Sequence, residues 1–286
     1  MPHSSRPLED LYAGAALTIR TVTRMAKAYE RIADDLRDRI RAGDLAPGDR
    51  LPAETTLVER YGKSLPTLRQ ALGLLQAEGL IEKQHGRGNF VRRPRTPVKR
   101  SNTRHQWEKS RAREPEQQRR KTGATEHDTG LEVDDLVFHA SYEVVDAGEE
   151  LAEIFGVPAG TAMLERTYRT RYQAEAHPFS LVDSYLVRDV VAANPDLLDA
   201  TNEPWPGGTQ SQLHSIGIEL ERIEERVLAR PPSAEEAEEL GLPPGTSLIV
   251  VGKTSYDTDG RVVEHSVIRL PGDRTVMSFV TPLERW

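Results

Sequence analysis

The chain has 286 residues, a formal charge of −7, 37% hydrophobic and 29% charged residues, a balance that fits two globular domains with separate cores. It has no cysteine, which excludes disulfides, thiolate zinc sites and thiol catalysis, and fits a reducing compartment. Residues 1–130 hold 26 Lys and Arg against 17 Asp and Glu (+9), and residues 131–286 hold 12 against 28 (−16), so only the front half suits a polyanionic partner.

No run approaches about 18 apolar residues, so a cytoplasmic protein without a membrane partner is expected. Residues 13–19 are weakly hydrophobic and Arg20 follows at once, unlike a signal-peptide core. Residues 1–27 are read as a disordered extension, with Met25 standing just before the first strong helical pattern. There, Tyr29, Ile32, Ala33, Leu36 and Ile40 make an apolar stripe that ends at Gly43. The Pro47-Gly48 pair marks a turn. A second helix follows Leu51-Pro52, with Leu57, Val58 and Tyr61 inward and Gly62 at its end. The third helix has Ser64 as N-cap, Pro66 in the first turn, an apolar face of Leu68, Ala71, Leu72 and Leu75, and Gly79 at C′. Two short strands then flank His85-Gly86-Arg87-Gly88. Three helices followed by a basic two-stranded tip predict a winged helix-turn-helix over residues 28–92, a device that lies on DNA.

The runs YERIADDLRDRIRAGDLAPGDRLPAE (29–54), GKSLPTLRQAL (62–72), EGLI (78–81) and HGRGNFV (85–91) resemble the DNA-binding domain of the GntR family of bacterial transcription regulators. The resemblance implies that Ser64, Thr67 and Arg69 meet phosphates or bases, and that the wing of His85, Gly86, Arg87 and Gly88 brings a basic side chain to the minor groove. Gln70 faces the same way and has the geometry for a bidentate bond to adenine. The family commonly carries arginine where this chain has Leu65 and Thr55. Leu65 then either touches a thymine methyl or packs against the second helix.

Residues 93–134 read as a long basic linker without apolar periodicity, with a helix over 104–121 expected only on binding. From Lys83 to Lys121 the chain offers 14 basic residues against three acidic ones, with Trp107 the lone aromatic after Phe90. Residues 135–286 then alternate strands with short acidic helices. Strands are expected at 138–145, 161–172, 177–187, 247–257, 261–270 and 275–283, with a short helix at 147–157. The run AEIFGVPAGT (152–161) is echoed by AEELGLPPGT (237–246), offset by 85 residues, which predicts two similar halves around one antiparallel sheet.

This half resembles the UTRA effector domain, which is similar in fold to chorismate lyase and places the chain in the HutC subfamily. The expected fold class is therefore α+β: a winged helix-turn-helix, a long linker and an antiparallel-sheet domain. The resemblance implies a bound small effector. Its paired basic residues best match Arg169 and Arg171, and its acidic and hydroxyl pair matches Glu264 and Ser266, with His265 pointing the other way. Two guanidiniums on one face would suit a phosphate or carboxylate; pairing with nearby acids is the structural alternative. The usual acidic residue of the first hairpin is displaced, with Val182 in its place and Asp183 beside it.

The reading is a DNA-binding regulator, a repressor acting as a homodimer on an inverted-repeat duplex operator and controlled by a polar or anionic effector. No cofactor, metal or catalytic residue is expected. The alternatives are a chorismate-lyase-like enzyme fused to a DNA-binding domain and a ligand-blind DNA-binding dimer.

Overall fold

The computed structural model describes residues 27–130 and 135–284; the expectation for residues 1–26 lies outside them. The DNA-binding head is built on helices α1 (Ala28–Ala42), α2 (Glu54–Tyr61) and α3 (Leu65–Ala77) and the hairpin of β1 (Ile81–Gln84) and β2 (Gly88–Val91). Ile32, Ala33 and Leu36 of α1, Leu57 of α2, and Leu68, Ala71, Leu72 and Leu75 of α3 are buried in one core with Ile81 and Val91. The apolar stripes thus fold onto each other as their helical spacing requires. Ser64 caps α3, its Oγ accepting from the Thr67 amide at 3.5 Å. Gly62 ends α2 at φ 60° and Gly79 follows α3 at φ 71°, left-handed conformations that only glycine enters cheaply. No side-chain cap starts α2, in keeping with the alanine at position 53.

Residues beyond Val91 depart from the expected linker. Strand β3 (Val98–Ser101) and helices α4 (Arg104–Arg111), α5 (Glu116–Arg119) and α6 (Ala124–Thr129) form an ordered strap against the rear domain. Its hold is mostly polar, which is why apolar periodicity did not reveal it. Trp107 stacks on His127 with centroids 4.1 Å apart, and the Arg111 guanidinium lies 4.6 Å over Trp107. Arg104 pairs with Asp128 at 2.8 Å and Arg100 with Glu225 at 2.5 Å. Val98 alone sinks into an apolar cluster, beside Tyr172 and Phe179.

The rear domain is a six-stranded antiparallel sheet in the order β4-β5-β6-β9-β8-β7. Its strands are β4 (Leu136–Asp146), β5 (Ala162–Tyr172), β6 (Ser180–Val187), β7 (Leu220–Arg230), β8 (Leu248–Asp257) and β9 (Val262–Pro271). Helix α7 (Glu149–Phe155) joins β4 to β5, α8 (Arg188–Val191) and α9 (Gly208–Ser215) follow β6, and α10 (Ala234–Glu239) joins β7 to β8. The order is symmetrical: β4-α7-β5-β6 on one side mirrors β7-α10-β8-β9 on the other. The echoed loops share their conformation, with Gly156 at φ 63° and Gly241 at 57°, and Gly160 and Gly245 both at 83°. The Val157 amide donates to the Ala152 carbonyl at 3.0 Å, as Leu242 does to Ala237 at 2.8 Å. The sequence echo is therefore a structural repeat.

Two details differ from expectation. The final strand, β10 (Thr275–Ser278), is shorter and pairs in parallel with β3 of the strap, outside the main sheet. Strand β7 differs from expectation because its run LERIEERVLAR is an edge strand whose charged residues break the apolar alternation. The head rests on the second repeat: Arg92 pairs with Asp273, and Arg95 Nη2 donates to the Leu240 carbonyl at 3.2 Å. A Cβ on Gly245 would lie 2.4 Å from the Ala77 carbonyl oxygen, so this close approach needs glycine.

Candidate nucleic-acid interface and effector cavity

The exposed surface of α3 collects Ser64, Leu65, Arg69 and Gln70, with Thr67 half-buried, while Leu68 between them lies in the core. Leu65 is 36% exposed and outside the core cluster, so it faces outward and does not pack into α2. Arg69 Nε donates to Glu54 Oε2 at 2.8 Å, with the arginine 63% exposed. An exposed pair of this kind is worth about 0–1 kcal/mol, so a phosphate can replace the carboxylate at little cost. At the wing, His85, Gly86 and Arg87 are exposed and Gly88 half-buried. Gln84 pairs with Gly88 across the hairpin, and Arg87 lies 5.7 Å over the Phe90 ring. Helix start and wing tip thus present donors and one apolar side chain on the head's free surface.

The rear domain and the strap together frame an open-sided cavity of about 930 Å³. One wall is the sheet, where Tyr168, Thr170, Val182, Ser184, Glu264 and Ser266 line it. A row of paired residues, Arg166–Ser184–Ser266–Lys253, crosses four strands at one level. Glu264 is 2% exposed and sits at the centre of that group. Its Oε1 accepts from Ser184 Oγ and Ser266 Oγ at 3.0 Å each and from Arg166 Nη2 at 3.4 Å. Its Oε2 accepts from Ser255 Oγ at 3.0 Å and Lys253 Nζ at 2.9 Å. Burial alone would raise the Glu264 carboxyl, but Lys253 and Arg166 outweigh it and hold the pKa at about 2. Arg166 also donates to Gln212 Oε1 at 2.5 Å. A second carboxylate, Glu203, accepts from Tyr142, Tyr168 and Gln212 on Oε1 and from the Trp205 amide on Oε2.

The expected effector residues separate. Glu264 and Ser266 line the cavity, and His265 points away, 2.9 Å from Thr254 Oγ1. Arg169 and Arg171 do not join them. Strand residues alternate faces, and Tyr168 and Thr170 take the cavity side. Arg169 pairs with Glu239 at the end of α10, and Arg171 Nη1 is occupied by the carbonyls of Tyr172, Gln173 and Glu175. The expected placement of Arg169 and Arg171 opposite Glu264 is therefore corrected: the arginine that meets Glu264 is the buried Arg166, in the opposite phase of the same strand. Asp183 likewise faces away, pairing with Arg269 at 2.7 Å, while Val182 lines the cavity. Among the described residues no group of three or more His, Asp or Glu is placed to hold a metal ion, and no helix is long and apolar enough to cross a membrane.

Acid should loosen this domain. Glu264 ionises in the fold at about 2, below its unfolded value of about 4.3. The stability it contributes is therefore complete above that value and drains away as pH falls toward 2. The thermal unfolding midpoint is expected to fall between about pH 5 and pH 3, and Glu264→Gln should flatten that fall; an equally steep fall in the variant would contradict the assignment.

Comparison with known proteins follows this division of the chain. The family model for bacterial regulatory proteins of the gntR family matches residues 28–91, and the UTRA domain model matches residues 139–275. An uncharacterised HTH-type transcriptional regulator of Streptomyces coelicolor is 29% identical over 264 residues, covering 89% of this chain and 92% of that protein. The HTH-type transcriptional repressor NagR of Bacillus subtilis is 28% identical over 271 residues, covering 90% and 95%. A crystal structure of a GntR-family transcriptional regulator superposes with a TM-score of 0.62 at 27% identity, covering 90% of this chain and 98% of that one.

Proposed function

The chain belongs to the GntR family, in the HutC subfamily that joins a GntR DNA-binding domain to a UTRA domain, and from this premise we propose that it is an effector-controlled repressor. A transcription regulator of this type uses the helix α3 and the wing on duplex DNA. Ser64, Leu65, Thr67, Arg69 and Gln70 read or hold the major groove, and His85 to Gly88 approach the minor groove. The observation that carries the reading is the pairing of that exposed basic surface with a roomy cavity holding a charged and hydroxyl cluster in the same chain. The relative NagR is named a repressor, which favours that sign of regulation.

The effector enters the cavity, where Lys253, Glu264 and Ser266 supply a fixed set of charged and hydroxyl groups, with the buried Arg166 behind them. It shifts DNA affinity only as far as it prefers one placement of the head over another. A homodimer sets two heads on an inverted repeat, one α3 per half-site; the apolar Val144, Val227 and Leu228, exposed on the edge strands β4 and β7, support self-association. The saturated partners of Glu264 and Glu203 favour binding over turnover, since neither carboxylate is free to take a proton from a substrate. The protein works in the cytoplasm. Selection of duplexes from a random pool by the full chain tests the proposal. Enrichment of an inverted repeat with half-sites about one helical turn apart is expected, and a pool left unenriched would overturn it.

A further inference from the structure

The cavity is closed on one side by residues that neither family match includes. The matches end at residue 91 and resume at residue 139, yet Arg100, Arg104, His105, Arg119 and Arg120 of the strap line the cavity beside the sheet. Three of these cations have carboxylate partners: Arg100 with Glu225, Arg104 with Asp128 and Arg120 with Glu116. Arg119 has none among the described residues; its Nη1 donates to the Pro206 carbonyl at 2.9 Å, and its Nε is buried without an acceptor there.

Other cavity groups are in the same condition. Arg100 Nε and Trp205 Nε1 are also buried without a hydrogen bond, whereas His105 Nε2 lies 3.2 Å from Glu225 Oε1. On the opposite side the acceptors are spent, since Glu264 and Glu203 together receive the hydroxyls, amide and cations around them. Buried donors without acceptors are costly. The unmet demand of this cavity is therefore for acceptor atoms, and it lies on the strap side. Phe138, Trp205 and Ile268 add apolar surface between the two polar sides.

We propose that the strap forms the oxyanion-recognising half of the effector site, centred on Arg119, and that the effector is a small molecule bearing a phosphate, sulfonate or carboxylate group. This rests on the effector reading above and narrows it. Because the strap runs on from β2 of the DNA-binding head, a ligand held at Arg119 is held by the connection itself. The anion reaches the head through a covalent neighbour, with no relay across the sheet.

The absence of cysteine permits a direct reading of charge in the cavity. Thr170→Cys places one thiol on the cavity face of β5, and Ala159→Cys places one in the exposed α7–β5 loop. Each full-length variant is treated with 2-sulfonatoethyl methanethiosulfonate, an anion, and with its trimethylammonium counterpart, and the two rates are compared. The anionic-to-cationic ratio at Cys in position 170 should exceed that at position 159 by about tenfold, the scale on which a charged cleft concentrates an opposite charge. Adding Arg119→Gln, which keeps an N–H donor for Pro206 but drops the charge, should return most of that difference. Arg119→Met serves if the glutamine variant lacks the wild-type unfolding midpoint. Equal ratios at the two positions, a faster cationic reagent in the cavity, or a ratio untouched by the Arg119 variants would overturn the proposal. DNA binding is measured separately, so a chain that binds its operator but attracts the cation sinks this inference alone.

Discussion

Replacing Arg166 with alanine is expected to destabilise the rear domain by about 3–5 kcal/mol, the cost of leaving one member of a buried ion pair behind. The guanidinium is 2% exposed and joins Glu264, Ser184 and Gln212. Its loss strands a buried carboxylate with Lys253 as its remaining cation and removes the donor that Gln212 Oε1 accepts. The head should be spared, because its core of Leu36, Leu57, Leu68 and Leu75 is separate. The three tryptophans, Trp107, Trp205 and Trp286, all lie outside residues 28–91. Tryptophan emission during urea unfolding therefore follows the strap and rear domain, and its midpoint should fall sharply. Adding both Glu264→Gln and Lys253→Met to Arg166→Ala should recover part of the loss, since the Lys253 ammonium is then not left without its carboxylate. A single variant as stable as wild type would mean that the charged row is not a structural unit.

The second large effect concerns DNA. Gln70→Ala combined with Arg87→Ala should weaken operator binding by roughly 10²-fold while leaving the thermal unfolding midpoint in place. Each good base contact is worth about 1–3 kcal/mol, and both side chains are exposed and outside the head's core. The two should be separable. Gln70→Ala should relax the preference at one base position, whereas Arg87→Ala should weaken all sequences alike and lower the salt slope by about one if its contact is a phosphate. Unchanged affinity in fluorescence anisotropy would remove the α3 surface and wing from the interface.

The head was legible because each helix carries its stripe and its stop. Leu68, Ala71, Leu72 and Leu75 are spaced for one face, Ser64 and Gly79 mark the ends, and all of these act within a few residues. The repeat was legible for the same reason, since Gly156 and Gly160 recur as Gly241 and Gly245 with the same local work to do. What was hidden depends on register. Arg166, Arg169 and Arg171 lie on one strand, and spacing alone favours the same-phase pair at 169 and 171. Only the pairing of Arg166 with Ser184, and of Ser184 with Ser266, shows which phase meets Glu264. The strap was hidden for a different reason. Its helices are pinned by stacking on Trp107 and by arginine–carboxylate pairs to partners as distant as Glu225, and such pairs leave no period in the sequence. A run of arginines between two domains looks like a solvated tether until its acids are located.

On the proposed function, this chain reads DNA sequence. Anisotropy titration of the full chain against labelled duplex from upstream of its own gene, beside a scrambled duplex, at low and moderate salt tests it most directly. Tighter binding to the upstream duplex that persists at moderate salt is expected, because base contacts are less salt-dependent than phosphate attraction. Weak and equal binding to both duplexes that vanishes as salt is raised would contradict it, leaving only the attraction of a basic surface for a polyanion.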